Sequence, residues 1–564
     1  MWGLSAKIVV DVWLRLTVPS YILGYLLLSV ACLSTMELQF VSSSHPIISR
    51  STKLTPPQEW DCREPNIKIC FRNNYCGCIS HSGQYRQRTW SARNRKFFKV
   101  KAEKSSAQLS PKPIKGPETK GTVVGAVALI IGTSIGSGIL ALPKKTSSAG
   151  FIPSSVSMIL CWGFLLIEAL LLAEINVGLL RKKRKKLKEE AVGVISIRTM
   201  AEETLGEWSG VLVTANYVFL AYTSMVAYTS KSAEILSHLI NLPSSVSGVF
   251  FTTFFSILIS IGGTRTTDQV NQWLTASLLG LLVAIELLSL LSGGWSGLEM
   301  AGNWGKAPQA IPVIIFSLVY HDVAPVICMY LDGDLKRIRA SIIIGSIVPL
   351  LVLLVWDAVV LGLPTQAGDV NVDPIDLLLR MSWTGISVMV EAFSLLAVGT
   401  SMIGTLLGFS QFFMEQLCNL PWYYQSNQAQ KSKGDHEQSV SKDESMFFGL
   451  QKWWHANKLR FMATTVAVAP PLFVSITIPD AFSTATDIAG GYCMTMLYGV
   501  LPPAMAWTIQ TSSRDADDQD GSNKVENNDQ KVLFKAKPVL LGVGLFACGI
   551  VIEQVLQDLL LWNP

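Results

Sequence analysis

Gly132-Thr133-Ser134-Ile135-Gly136-Ser137-Gly138 puts three glycines into seven residues, in the middle of an apolar run near 121–142. A helix crossing a bilayer tolerates such an interruption only where protein or cavity water satisfies the freed backbone groups. A second interruption, Phe316-Ser317-Leu318-Val319-Tyr320-His321-Asp322-Val323-Ala324-Pro325, falls inside another apolar run near 308–331. Four further runs separate the two. Interrupted helices at matching positions of two five-helix halves point to a transporter site at mid-membrane depth. The odd separation makes the halves inverted relative to each other.

The rest of the chain fits this frame. It is 49% hydrophobic and only 15% charged, with mean hydropathy +0.37. Soluble domains carry about a quarter charged residues. About eleven apolar runs of spanning length lie near 121–142, 154–180, 205–229, 246–262, 270–292, 308–331, 340–363, 385–411, 460–478, 484–508 and 538–561. They are numbered spans 1 to 11. The expected fold is an all-α membrane protein with inverted repeats at about 121–292 and 308–508 and an extra helix at 538–561.

Loop charge sets the orientation. With the segment before span 1 inside, the inside segments hold about 27 Lys and Arg, including Arg181-Lys182-Lys183-Arg184-Lys185-Lys186, against about five on the opposite side. The formal net charge of +5 is therefore a topology signal, not a sign of nucleic-acid binding. Its partner is the lipid bilayer.

Breaks of this kind have a definite chemistry. Unwinding frees N–H groups around Gly136, Ser137 and Gly138, and the half-helix dipole adds partial positive charge, so a carboxylate is favoured there. Freed carbonyls suit an ammonium group. An amino acid carries both charges. The competing reading is that the glycines only allow helices to pack closely.

The run Gly132-Thr-Ser-Ile-Gly-Ser-Gly-Ile-Leu-Ala-Leu-Pro143 resembles the signature of the bacterial tryptophan/tyrosine permease family. Ala310-Ile-Pro-Val-Ile-Ile-Phe-Ser317, Tyr320-His321, Tyr330-Leu-Asp-Gly-Asp-Leu-Lys-Arg-Ile-Arg339, Thr400-Ser401 to Gly408 and Pro470-Pro471 are similar to that family as well. The resemblance covers about 120–562. It implies a LeuT-like 5+5 inverted repeat with helices 1 and 6 broken, and proton-coupled uptake of aromatic amino acids such as tyrosine or tryptophan. Asp322 departs from the family pattern, which has a small residue there, usually Gly.

Candidate residues follow from depth and chemistry. Thr133, Gly136, Ser137, Gly138, Tyr217, Tyr320 and His321 are expected to bind substrate, with Tyr222 and Tyr492 as further aromatic candidates. Asp322 and Glu174 are expected to couple transport to protons, because an ionisable group inside a span is expensive and rarely idle. Glu174 resembles the family's span 2 carboxylate and reads equally as a structural brace. Glu168 and Glu391 are expected near span ends, reaching water by snorkelling, and Glu286 has no settled role. Thr400 and Ser401 offer a possible cation site with span 1 carbonyls, or bond only their own helix. A sodium-coupled carrier and a carrier of another amino acid are the alternatives.

Other classes fit poorly. Gly132-Thr133-Ser134-Ile135-Gly136 matches G-x-S-x-G, but the hydrolase elbow needs a strand–turn–helix. An intramembrane serine hydrolase using Ser134 and His321 is the remote alternative to a protein that is not an enzyme. No nucleotide-binding run is present, and nothing calls for a cofactor or metal. Cys62, Cys70, Cys76 and Cys78 lack paired C-x-x-C spacing.

The N-terminal fifth is of another kind. Residues 36–115 are rich in Arg, Lys, Ser and Thr and poor in acids, the composition of an organellar transit peptide. Met36 is the natural start of a plastid-type presequence. The apolar extension 1–35 then reads as an over-extended gene model, with 116–564 as the transporter core.

Overall fold

The computed structural model describes residues 121–186, 194–291, 298, 302–362, 384–418, 445–478, 481–517 and 537–562. The 1–35 extension and the transit-like 36–115 segment lie outside the described residues. Among these residues every regular element is a helix. Nine helices among the described residues are long and apolar enough to cross a membrane, and one bent pair makes a further span. A continuous helical run at 481–517 occupies the place expected for span 10.

Span 1 is the bent pair. Its halves, 1a (Val123–Ser134) and 1b (Gly138–Thr146), meet at 56°. Span 2 is Phe151–Lys186 and span 3 is Glu207–Ile240. Spans 4 and 5, Ser244–Gly263 and Thr266–Ser289, form one run kinked at Gly263. Gly263 has φ 68°, a left-handed conformation that L side chains avoid, so glycine lets the chain turn back there. Span 6 is also two pieces, 6a (Ile311–Leu318) and 6b (Ala324–Tyr330). Spans 7, 8 and 9 are Leu335–Leu361, Thr384–Cys418 and Ser445–Thr477, and span 11 is Lys537–Trp562.

Burial separates the inner spans from the outer ones. In its most apolar window span 6 is 78% buried, whereas span 5 is only 22% buried. Span 4 presents Phe250, Phe254, Ile257 and Ile261 outward at helical spacing. Exposed apolar stripes of that length face hydrocarbon rather than water. Polar side chains such as Ser134, Glu168, Ser317 and His321 point inward. The architecture is the expected all-α one, with the broken spans 1 and 6 packed together inside a helical shell.

Two features go beyond the sequence reading. A short helix, Ile197–Leu205, precedes span 3, capped by Ser196 Oγ, which accepts the Thr199 N–H at 3.2 Å. Span 10 contains two π segments, Ala489–Met494 and Met496–Val500. Gly490 permits this irregularity: a Cβ there would collide with the Pro312 carbonyl of 6a. π segments gather at functional sites, and this one adjoins the span 6 break.

Candidate functional site

The span 1 break begins where two hydroxyls turn back on their own helix. Thr133 Oγ1 donates to the Leu129 and Ile130 carbonyls, and Ser134 Oγ donates to Ile130. Ile135 is then extended, with ψ 103°. The Ser137 N–H donates to Ser401 Oγ of span 8 at 2.9 Å, so the break is held from outside its own helix. In the first turn of 1b the Ile139 and Leu140 N–H groups donate to the Gly136 and Ser137 carbonyls, at 3.3 and 3.1 Å.

The span 6 break follows from different residues. Val319 is extended, His321–Val323 form one tight turn, and Pro325 opens 6b where no N–H is needed. The breaks adjoin: a Cβ on Gly138 would lie 2.9 Å from Ser317 Cα and 3.2 Å from the Phe316 ring. Gly138 therefore allows 1b to touch the backbone of 6a. This corrects the reading of Gly138 as bare backbone offered to substrate. Gly136 differs, since a Cβ there would meet only the Ser401 hydroxyl, at 2.5 Å.

Aromatic rings surround the span 6 turn. His321 is fully buried and stacks between Tyr320 and Tyr498, each centroid 5.1 Å away. Its Nε2 pairs with the Leu165 carbonyl of span 2 at 3.0 Å. This sandwich makes His321 a fixed part of the wall. Tyr498 donates its hydroxyl to Asp322 Oδ1. Tyr217 and Tyr228 of span 3 are also close enough to feel the Asp322 charge. Asp322 nevertheless remains exposed. Given those neighbours, its exposure is to a space between spans, not to the outside of the bundle.

Other candidates have different work. Glu174 pairs with Arg339 of span 7 at 2.5 Å, near the inner ends of spans 2 and 7. The pair is remote from Leu165, the span 2 residue that meets His321, by about two and a half helical turns. Thr400 Oγ1 bonds the Leu396 and Ala397 carbonyls of its own helix, and Ser401 is committed to Ser137. Of the two, Ser401 reaches the break. Tyr222 donates to the Val466 carbonyl of span 9, and Tyr492 donates to Asp558 of span 11 at 2.5 Å. Both face away from the break. Glu168 corrects the snorkelling expectation outright: it is 0% exposed in the middle of span 2.

Span 1 is tied at both ends. Inside, Arg337 donates to the Gly121 carbonyl. Outside, Trp356 Nε1 donates to the Ile139 carbonyl at 3.1 Å, and Thr146 donates to buried Asp357 at 2.5 Å. Lys145 pairs with Asp487 of span 10 at 2.6 Å. Sequence reasoning missed Asp357, Tyr228 and Tyr498. Tyr228 had a signal, because it lies eleven residues after Tyr217, three turns on the same face. Tyr498 had none, since π segments are not written in apolar periodicity.

Two broken helices meeting around a carboxylate and three tyrosines define a helical membrane transporter rather than an enzyme. A profile of the tryptophan/tyrosine permease family matches residues 119–428 and 445–520. The chain belongs to that family. The tyrosine-specific transport system 1 of Haemophilus influenzae is 31% identical over 300 residues, half of this chain and 71% of that protein. A tryptophan-specific transport protein of Pseudomonas aeruginosa is 24% identical across 70% of this chain and 88% of its own length. Glutamine transporter 2 of Aliivibrio fischeri is 25% identical across 50% and 72%.

Proposed function

We propose that this protein is a proton symporter for aromatic amino acids, tyrosine or tryptophan, acting in the plastid inner envelope. One observation carries the substrate class. The exposed Asp322 carboxylate lies among Tyr217, Tyr228 and Tyr498, beside the N-terminal turn of 1b. A substrate ammonium pairs with Asp322, its carboxylate lies at the positive N-terminal end of 1b beside Gly136, and its ring packs on tyrosine faces. Tyr320 and His321 keep the wall in place, and Thr133 lies one residue before the end of 1a. Glu174 is the latch to Arg339, and Ser401 supports the break.

Relatives named for tyrosine and tryptophan support the aromatic class. The one named for glutamine makes glutamine the proper control. Full-length protein in liposomes, under an imposed inward proton gradient, is expected to accumulate labelled tyrosine or tryptophan and to ignore glutamine. Accumulation driven by sodium alone, or preference for glutamine, overturns this reading.

Localisation rests on the transit-like composition of residues 36–115. A C-terminally tagged chain in plant cells is expected in plastid membranes, shortened by roughly 80–115 residues. A plasma-membrane protein retaining Met1 to Ser34 overturns it.

A further inference from the structure

Glu168 stands out among the described residues. It is fully buried, and neither carboxylate oxygen has a hydrogen-bond partner. An ionised carboxylate in that state is among the costliest arrangements a protein interior offers. A side chain serving only packing would be served better by leucine.

Its neighbours on span 2 show where it lies. Three residues earlier, the Leu165 carbonyl holds His321 Nε2. Four residues earlier, Phe164 packs where a Cβ on Gly499 would lie 2.8 Å from its ring, and edge-on against Phe546 at 5.1 Å. Helical side chains lean toward the helix N-terminus and cover the preceding turn. Glu168 thus shares its stretch of span 2 with Leu165 and Phe164, whose partners are His321 of span 6 and Gly499 of span 10. Tyr498 in turn bonds Asp322. His321 Nδ1 is likewise buried without a partner.

We propose that Glu168 is the seat of the transported proton. The inference rests on the proton-symport reading and deepens it. Asp322 senses the substrate, and the Tyr498–His321 stack links it to the stretch of span 2 that carries Glu168. Protonation forms one O–H bond on a Glu168 oxygen from a proton entering on one side. The same bond breaks when the altered packing of spans 6 and 10 admits water from the other side. The neutral acid tolerates the dry interior and the carboxylate does not, so the closed molecule carries the proton along.

The ionisable surroundings leave this task to Glu168. Span 6 presents Tyr320, His321, Asp322 and Cys328, and span 10 presents Tyr498. Span 2 itself adds Cys161 and Glu174. On span 7, Arg339 is engaged by Glu174 further inward, and Asp357 is engaged by Thr146 at the outer end. Among the described residues no lysine or arginine has a recorded ion pair or hydrogen bond to Glu168.

The test is substrate-driven proton influx, read by a trapped pH dye in liposomes holding the full-length protein, alongside tyrosine counterflow. Glu168→Gln is expected to lose tyrosine-driven acidification to the protein-free background while keeping counterflow. Glu168→Asp is expected to keep acidification with a shifted pH profile. A Glu168→Gln protein that still acidifies like wild type overturns the proposal. So does one that elutes as folded but loses counterflow too. If Glu168→Gln fails to fold, an unshifted profile in Glu168→Asp overturns it instead. Wild-type tyrosine uptake without any proton influx defeats the symport reading itself, which separates the two failures.

Discussion

Asp322→Asn is expected to abolish both pH-driven uptake and counterflow of tyrosine. The Asp322 carboxylate accepts from Tyr498 within the span 6 break. Removing one partner of an enclosed, hydrogen-bonded charge pair costs about 2–5 kcal/mol. The lower figure is about a thirtyfold loss of affinity. Asparagine keeps the size and can still accept from Tyr498, so the protein should fold. Glu174→Gln is the contrast. It breaks the pair with Arg339 and should lower the melting temperature in detergent, yet leave coupling intact. The sequence alone pointed to a different result, in which neutralising Asp322 spares exchange. The change comes from its place among Tyr217, Tyr228 and Tyr498, which the proposed function gives to substrate. Retained counterflow in Asp322→Asn returns the coupling role to Asp322 and removes it from the ammonium site.

The sequence held the spans, their order and both breaks, because each is written in local terms. Apolar length marks a span, and clustered Gly132, Gly136 and Gly138 or a Pro325 after polar residues mark a break. Which side chains meet across the breaks is another matter. Helical periodicity tells which residues share a face but not which neighbour that face meets. Tyr492 and Tyr498 are six residues apart in one apolar run, yet one reaches Asp558 of span 11 and the other Asp322 of span 6. The π segments between and around them rotate the faces, and no residue pattern announced them. Glu168 was misplaced for a related reason. Charge in a span suggests a route to water, and only the packing of spans 6 and 10 shows that no route is open in this state.

The glycines of span 1 separate packing from binding. Gly138→Val is expected to eliminate transport and to lower stability as well. Its Cβ would come 2.9 Å from Ser317 Cα, a backbone atom with no freedom to retreat, and valine adds two methyls beyond it. Overpacking of this kind costs about 1–3 kcal/mol or more. Trimming the neighbour with Ser317→Ala removes a hydroxyl but not the Cα, so the double variant should remain inactive. Gly136→Ala meets only the Ser401 hydroxyl, the atom that accepts the Ser137 N–H. It should impair transport less, and Ser401→Ala should restore room at the expense of the hydrogen bond holding the break. Melting temperature and tyrosine counterflow, measured on all five proteins, separate the two cases. Normal transport by Gly138→Val would mean that spans 1 and 6 do not meet at this glycine in the working protein. A site built on their two breaks would then have no foundation.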